Sequence, residues 1–133
     1  MNGSFRPEGR TNDLVMQDLA SETVIYDLSN NKAFCLNETS ARVWRLCNGI
    51  RTVDDIAASI GSEEIVWLAL DQLSRENLLE KKSVPTDILP EISRRDVIRR
   101  VGLASLIALP VIASVVSPQS VFVQTSLLPL GSI

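Results

Sequence analysis

The sequence predicts an α+β fold: a small antiparallel β-hairpin sheet, then a winged-helix-like bundle of three helices, with a hydrophobic helical tail at the C-terminal end. Three observations carry this reading. Residues 24–37 (VIYDLSNNKAFCLN) place two strand-like segments around an asparagine turn. Three amphipathic stretches with cap signals follow up to Glu76. Residues 101–133 contain no charged side chain at all.

Taken in order, residues 1–12 lack apolar periodicity and carry Gly3, Pro7 and Gly9, which predicts a flexible lead-in. No apolar core follows of the kind a secretory signal needs. Leu14, Val15, Met16 and then Leu19 predict a first strand. Val24, Ile25, Tyr26, Asp27 and Leu28, rich in β-branched and aromatic types, predict a second. Ser29-Asn30-Asn31-Lys32 supplies the turn, because asparagine tolerates the positive φ of tight hairpins. Ala33, Phe34, Cys35 and Leu36 return as the partner strand and leave one hairpin edge open, a place where another peptide can be added.

Asn37 is placed to cap a helix over 38–47, with Ser40, Val43, Trp44 and Cys47 on one face. Asn48-Gly49 ends it, glycine suiting the left-handed position after a helix. Thr52-Val53-Asp54-Asp55 has the form of a capping box, and Val53, Ile56, Ala57 and Ile60 mark the buried face behind it. Gly61-Ser62 breaks and recaps the chain. The third helix, over 63–76, starts on Glu63 and Glu64, where a helix N-terminus favours negative charge, and buries Val66, Ala69, Leu70 and Leu73. Trp67 falls about 100° from Val66, at the border of that stripe, so it either completes the core or lines a groove. The domain over 13–82 is long enough for a single core.

Charge and composition exclude several functions. Residues 1–92 hold nine basic and fifteen acidic side chains, whereas residues 93–133 hold four basic and one acidic. An acidic body is a poor match to nucleic acid, whose phosphates need Lys and Arg. Read as a winged helix, its recognition helix would set Glu63, Glu64, Asp71 and Glu76 against Arg75 alone. The chain has no histidine, which removes the commonest general base and metal ligand. Cys35 and Cys47 are the only cysteines and have no Cys-x-x-Cys partner, so no zinc site is expected; they are read as two reduced, buried thiols, with a disulfide between them left open by the sequence. No catalytic residue, metal or cofactor is predicted.

Tyr26-Asp27-Leu28, Leu36-Asn37-Glu38-Thr39, Ala41, Trp44, Asn48-Gly49, Thr52-Val53, Ile56-Ala57, Leu70, Leu73 and Asn77-Leu78-Leu79 together resemble the PqqD-like family, the recognition elements of ribosomally made, post-translationally modified peptides. The resemblance implies a non-catalytic adaptor. Such an adaptor holds the leader of a precursor peptide and presents it to a modifying enzyme, often a radical-SAM enzyme, or to a leader peptidase. It also implies a groove in which the leader is added as a strand beside Ala33, Phe34, Cys35 and Leu36, with Trp67, Leu70 and Ser74 of the third helix as the second wall. Asn48-Gly49 departs from the family's usual Asp-Gly, and the connection between the second and third helices is shorter than in many members.

Residues 83–92, with Pro85 and Pro90, read as a linker, and an arginine-led tail over 93–133 follows. Ser93, Arg94, Arg95, Arg99 and Arg100 precede the uncharged run, and residues 101–123, if helical, would measure about 34 Å against a hydrocarbon core of about 30 Å. Three readings stay open. The tail is a membrane segment with its arginines at anionic headgroups on the inner face of the cytoplasmic membrane; or an export-like tail resembling a twin-arginine signal; or a disordered or partner-bound extension. Beside the adaptor, the expectations therefore include a membrane-tethered cell-envelope accessory protein without peptide binding and, weakest, a winged-helix nucleic-acid binder.

Overall fold

At the centre of the hairpin, Asn31 takes φ 57, the left-handed conformation expected of a turn asparagine, and the Asn30 side chain accepts from the Lys32 amide at 3.1 Å. The computed structural model describes residues 5–83, 94–101 and 108–115. On either side of this turn run β2 (Glu22–Asp27) and β3 (Lys32–Asn37), antiparallel, with Ile25 opposite Phe34 and Thr23 opposite Leu36. The first strand, β1 (Leu14–Asp18), pairs with β2, so the predicted hairpin becomes a meander.

The helices form where the cap chemistry places them. In α1 (Glu38–Leu46) the Asn37 side chain accepts from the Ser40 amide, and Ser40, Val43, Trp44 and Cys47 are buried on one face, as the spacing predicts. Ahead of α2 (Val53–Ile60) the Thr52–Asp55 capping box is present in both directions, and Gly61 at φ 101 ends the helix. Ser62 caps α3 (Glu63–Arg75). A 3₁₀ turn at Lys81–Ser83 follows.

One core lies between the sheet and the helices. Ile25, Phe34 and Leu36 from the sheet meet Val43, Val53, Ile56, Ile65, Leu70 and Leu73, all essentially inaccessible. The third helix is its centre, contacting α1, α2 and the later helix α4 (Arg94–Val101), whose Val97 is fully buried.

Two parts of the chain differ from expectation. Residues 5–12, read as a loose lead-in, are fastened: Glu8 bridges to Asn48, Gly9 bridges to Leu79, and the Phe5 ring lies 5.5 Å from that of Trp67. The second difference is in the tail. Residues 112–115, expected to be helical, form β4 (Ile112–Val115), which adds to the far side of β3 and completes a four-stranded sheet in the order β1-β2-β3-β4. A free strand edge with unpaired N–H and C=O groups outweighs the weak preference of an uncharged, aperiodic run. Among the described residues no helix is long and apolar enough to cross a membrane. Ser93 and most of the proposed span over 101–123 lie outside the described residues.

Candidate functional site

The edge of β3 that was read as open is the candidate site, and it is covered in the structure. Ala33, Phe34, Cys35 and Leu36 face Val115, Ser114, Ala113 and Ile112 in antiparallel register, so β4 occupies the place assigned to an added peptide strand. Ala33, Phe34 and Leu36 are buried, and Cys35 is half-buried on the outer side of the sheet. Leu70 is fully buried in the core, and Ser74 is half-buried on the last turn of α3. Trp67 is also fully buried; its indole N–H donates to Glu63 at 3.2 Å and its ring meets Phe5. The structure therefore brings the β3 residues and β4 together directly, whereas Trp67 sits among core groups and the lead-in. Among the tail residues, Arg94 belongs to α4 and donates to the carbonyl of Pro110 at 2.7 Å; Arg95 and Arg99 lie on the same helix.

The polar clamp on the added strand is made by residues the sequence reading used only as caps or not at all. The Asn37 amide N–H donates to the carbonyl of Val111 at 3.1 Å, and its carboxamide N–H donates to the carbonyl of Leu109 at 2.7 Å. Its side-chain oxygen accepts from the Val111 amide at 3.1 Å while also capping α1 through the Ser40 amide at 3.0 Å. The Ser40 hydroxyl lies 3.0 Å from the Val111 carbonyl oxygen. From α3, Gln72 donates to the carbonyl of Pro110 at 3.1 Å. The groups these side chains bind are all main-chain atoms of residues 109–111, which lead directly into β4, a mode that tolerates many side chains.

The side chains of the segment make fewer contacts than its main chain. Pro110 is buried, and Leu109 and Ile112 pack half-buried on the core, whereas Ala113, Ser114 and Val115 are exposed. Proline costs nothing at its position, since its carbonyl is taken by Gln72 and Arg94 and it has no N–H to satisfy.

Both cysteines are free thiols, and both are unreactive in character: the carboxylate of Glu22, which accepts from the Cys35 thiol, together with burial pushes Cys35 up to about 11, and burial alone pushes Cys47 up to about 12. Among the described residues no group of three acidic or sulfur ligands could hold a metal ion.

Asn37 and Ser40 had a signal, as a polar pair at the end of the edge strand, although it serves equally for a helix cap. Gln72 had none, since a glutamine beside an apolar stripe is the ordinary solvated flank of a helix.

The family model described as coenzyme PQQ synthesis protein D (PqqD) matches residues 22–63, from the start of β2 to the first residue of α3. The resemblance read from the sequence is thus borne out over the segment that holds β3, Asn37 and Ser40. No curated protein and no solved structure matches the chain significantly.

Proposed function

We propose that this chain, whose residues 22–63 match the PqqD family, is a non-catalytic adaptor that binds the leader of a ribosomally made precursor peptide by strand addition at the β3 edge and presents it to a modifying enzyme. The observation that carries the reading is the seating of an extended segment on that edge through its main chain, with Asn37, Ser40 and Gln72 as the partners. Main-chain bonds supply attraction that most sequences share, and the places of Pro110 and Ile112 supply choice. With so few anchored side chains, affinity on the order of micromolar is expected. The modifying enzyme is proposed to be of the radical-SAM type, with a leader peptidase as the other candidate partner.

The acidic balance of residues 1–92 supports a peptide rather than nucleic acid as the occupant. So does the location of α3, whose residues from Ile65 to Leu70 are all buried and cannot enter a groove of DNA.

The test is a titration of the full chain with leader peptides of short precursors encoded beside it, followed by the amide signals of Ala33, Cys35 and Asn37. Saturable binding with shifts confined to this edge is the expected outcome. A folded chain whose β3 edge is free and which binds none of these peptides overturns the reading.

A further inference from the structure

The edge that an outside leader needs is held by the chain's own residues 109–115. We propose that this segment is a built-in ligand of the peptide site, a strand that closes the β3 edge in cis and is exchanged for an incoming leader of similar pattern. The inference rests on the reading of this edge as a peptide site.

Connectivity is the first argument. The strands β1, β2 and β3 follow one another by short turns, but β4 is added from the far end of the chain, after α1, α2 and α3. Among the described residues no element follows β4, so the strand can leave without unthreading any of them.

Burial is the second. Along β4 only Ile112 is even half-buried, and the three residues after it are exposed, whereas β2 buries Thr23, Ile25 and Asp27 and β3 buries Ala33, Phe34 and Leu36; just before β4, Pro110 is buried and Leu109 half-buried. The sheet's own core does not depend on β4 for most of its area.

The body's partners for the segment, Asn37, Ser40 and Gln72, bind main-chain atoms that every extended peptide carries. A leader can replace each of these bonds one for one. Meanwhile α4, which precedes the segment in the chain and is anchored by buried Val97, keeps the segment close by after it leaves the edge. Tethering of this kind gives an effective concentration on the order of millimolar, against which a micromolar peptide binds roughly a thousandfold more weakly.

The occupant also states what the site takes. An exchanging strand needs an aliphatic residue at the place of Ile112 and a proline-sized residue two positions earlier, while the places of Ala113, Ser114 and Val115 accept any uncharged or polar side chain.

The experiment uses the full chain and a fluorescein-labelled synthetic peptide copying residues 108–115 (ALPVIASV) as probe. Since the Asn37 N–H is bonded to Val111, the two-residue alternation of an antiparallel ladder makes Cys35 and Ala113 the next mutually bonded pair. Ala113→Pro removes that donor, whereas in Ser114→Pro the lost N–H faces away from β3. The Ala113→Pro chain should bind the probe at least tenfold more tightly than the unmodified chain. Its Cys35 amide should exchange freely with solvent until the probe is added, and Ser114→Pro should behave as the unmodified chain. A probe carrying Asp at the Ile112 position should bind the opened chain at least tenfold more weakly.

Equal affinity in the unmodified and Ala113→Pro chains would overturn the gate and leave the peptide site standing. No binding to an Ala113→Pro chain whose Cys35 amide is exposed would overturn the peptide site, and the gate with it. Should Ala113→Pro fail to fold, Ile112→Asp opens the same edge; loss of folding in both variants would make β4 an integral strand and sink the proposal.

Discussion

Arg10 grips Asp27 with both ends of its guanidinium, at 2.7 Å and 2.9 Å, across seventeen residues of sequence. The Asp27 side chain has no exposure, and Ser29 contributes two further bonds from its amide and hydroxyl. The pair fastens the lead-in to the end of β2. Arg10→Ala leaves a buried carboxylate without its counter-charge, a change expected to cost about 3–5 kcal/mol of folding stability. Denaturant midpoints of the two chains at pH 7 check this.

The same pair predicts a pH dependence. The Arg10 bonds, opposed by burial and assisted by Ser29, hold the Asp27 carboxyl well below the usual carboxylate range. A depressed folded-state value means that the stabilisation is complete above the unfolded value of about 4 and is lost as the pH falls below it toward the folded value. Stability measured from pH 6 to pH 2.5 should fall at the acid end, and the fall should be shallower in Arg10→Ala.

Trp67 is the largest fully buried side chain. Its sequence position allowed either a core or a groove role, and these roles predict different losses. With its ring against Phe5 and its N–H on Glu63, Trp67→Ala should cost about 3–5 kcal/mol of stability. Trp67→Phe should recover most of it. A variant that kept full stability while losing the probe peptide would restore Trp67 to the groove.

The features legible in the sequence share a range of a few residues. Asn31 in the turn, Asn37 and Thr52 as caps, and Gly61 as the stop each act on backbone groups within four positions, so their chemistry is contained in the local string. What escaped depends on partners far away. Arg10 finds Asp27, Gly9 finds Leu79, and Ile112 finds Leu36 only after the core has formed. The tail adds a second difficulty, because an uncharged run without periodicity suits a buried strand, a helix or a membrane segment equally. The β3 edge was legible as an edge, since β3 ends a hairpin. The strand that covers it was not, because nothing in the spacing of Val111, Ile112 and Ala113 names the strand they join.

Gln72 offers the cleanest probe of the clamp, because it bonds Pro110 without capping a helix. Gln72→Ala should loosen the strand by about 1 kcal/mol, the net worth of one hydrogen bond, with little change in global stability. Asn37→Ala removes the bonds to Leu109 and Val111 together with the α1 cap, so it should cost about 1 kcal/mol in the helix in addition to releasing the strand. Hydrogen exchange at Val111 separates the two: faster in both variants, with α1 amides faster in Asn37→Ala alone.

Cys35 and Glu22 yield a prediction that depends on the sign of one charge. The carboxylate accepts from the thiol and opposes the thiolate, and burial acts in the same direction, which together push Cys35 up to about 11. At pH 8 the thiolate fraction is then about a hundredfold below that of an ordinary exposed cysteine, and alkylation by iodoacetamide should be slow to match. Glu22→Gln keeps an acceptor in place but removes the negative charge, so Cys35 should be alkylated about tenfold faster. Cys47, pushed up to about 12 by burial alone, has no such partner and should keep its rate. If both thiols keep their rates in Glu22→Gln, burial rather than the carboxylate governs Cys35.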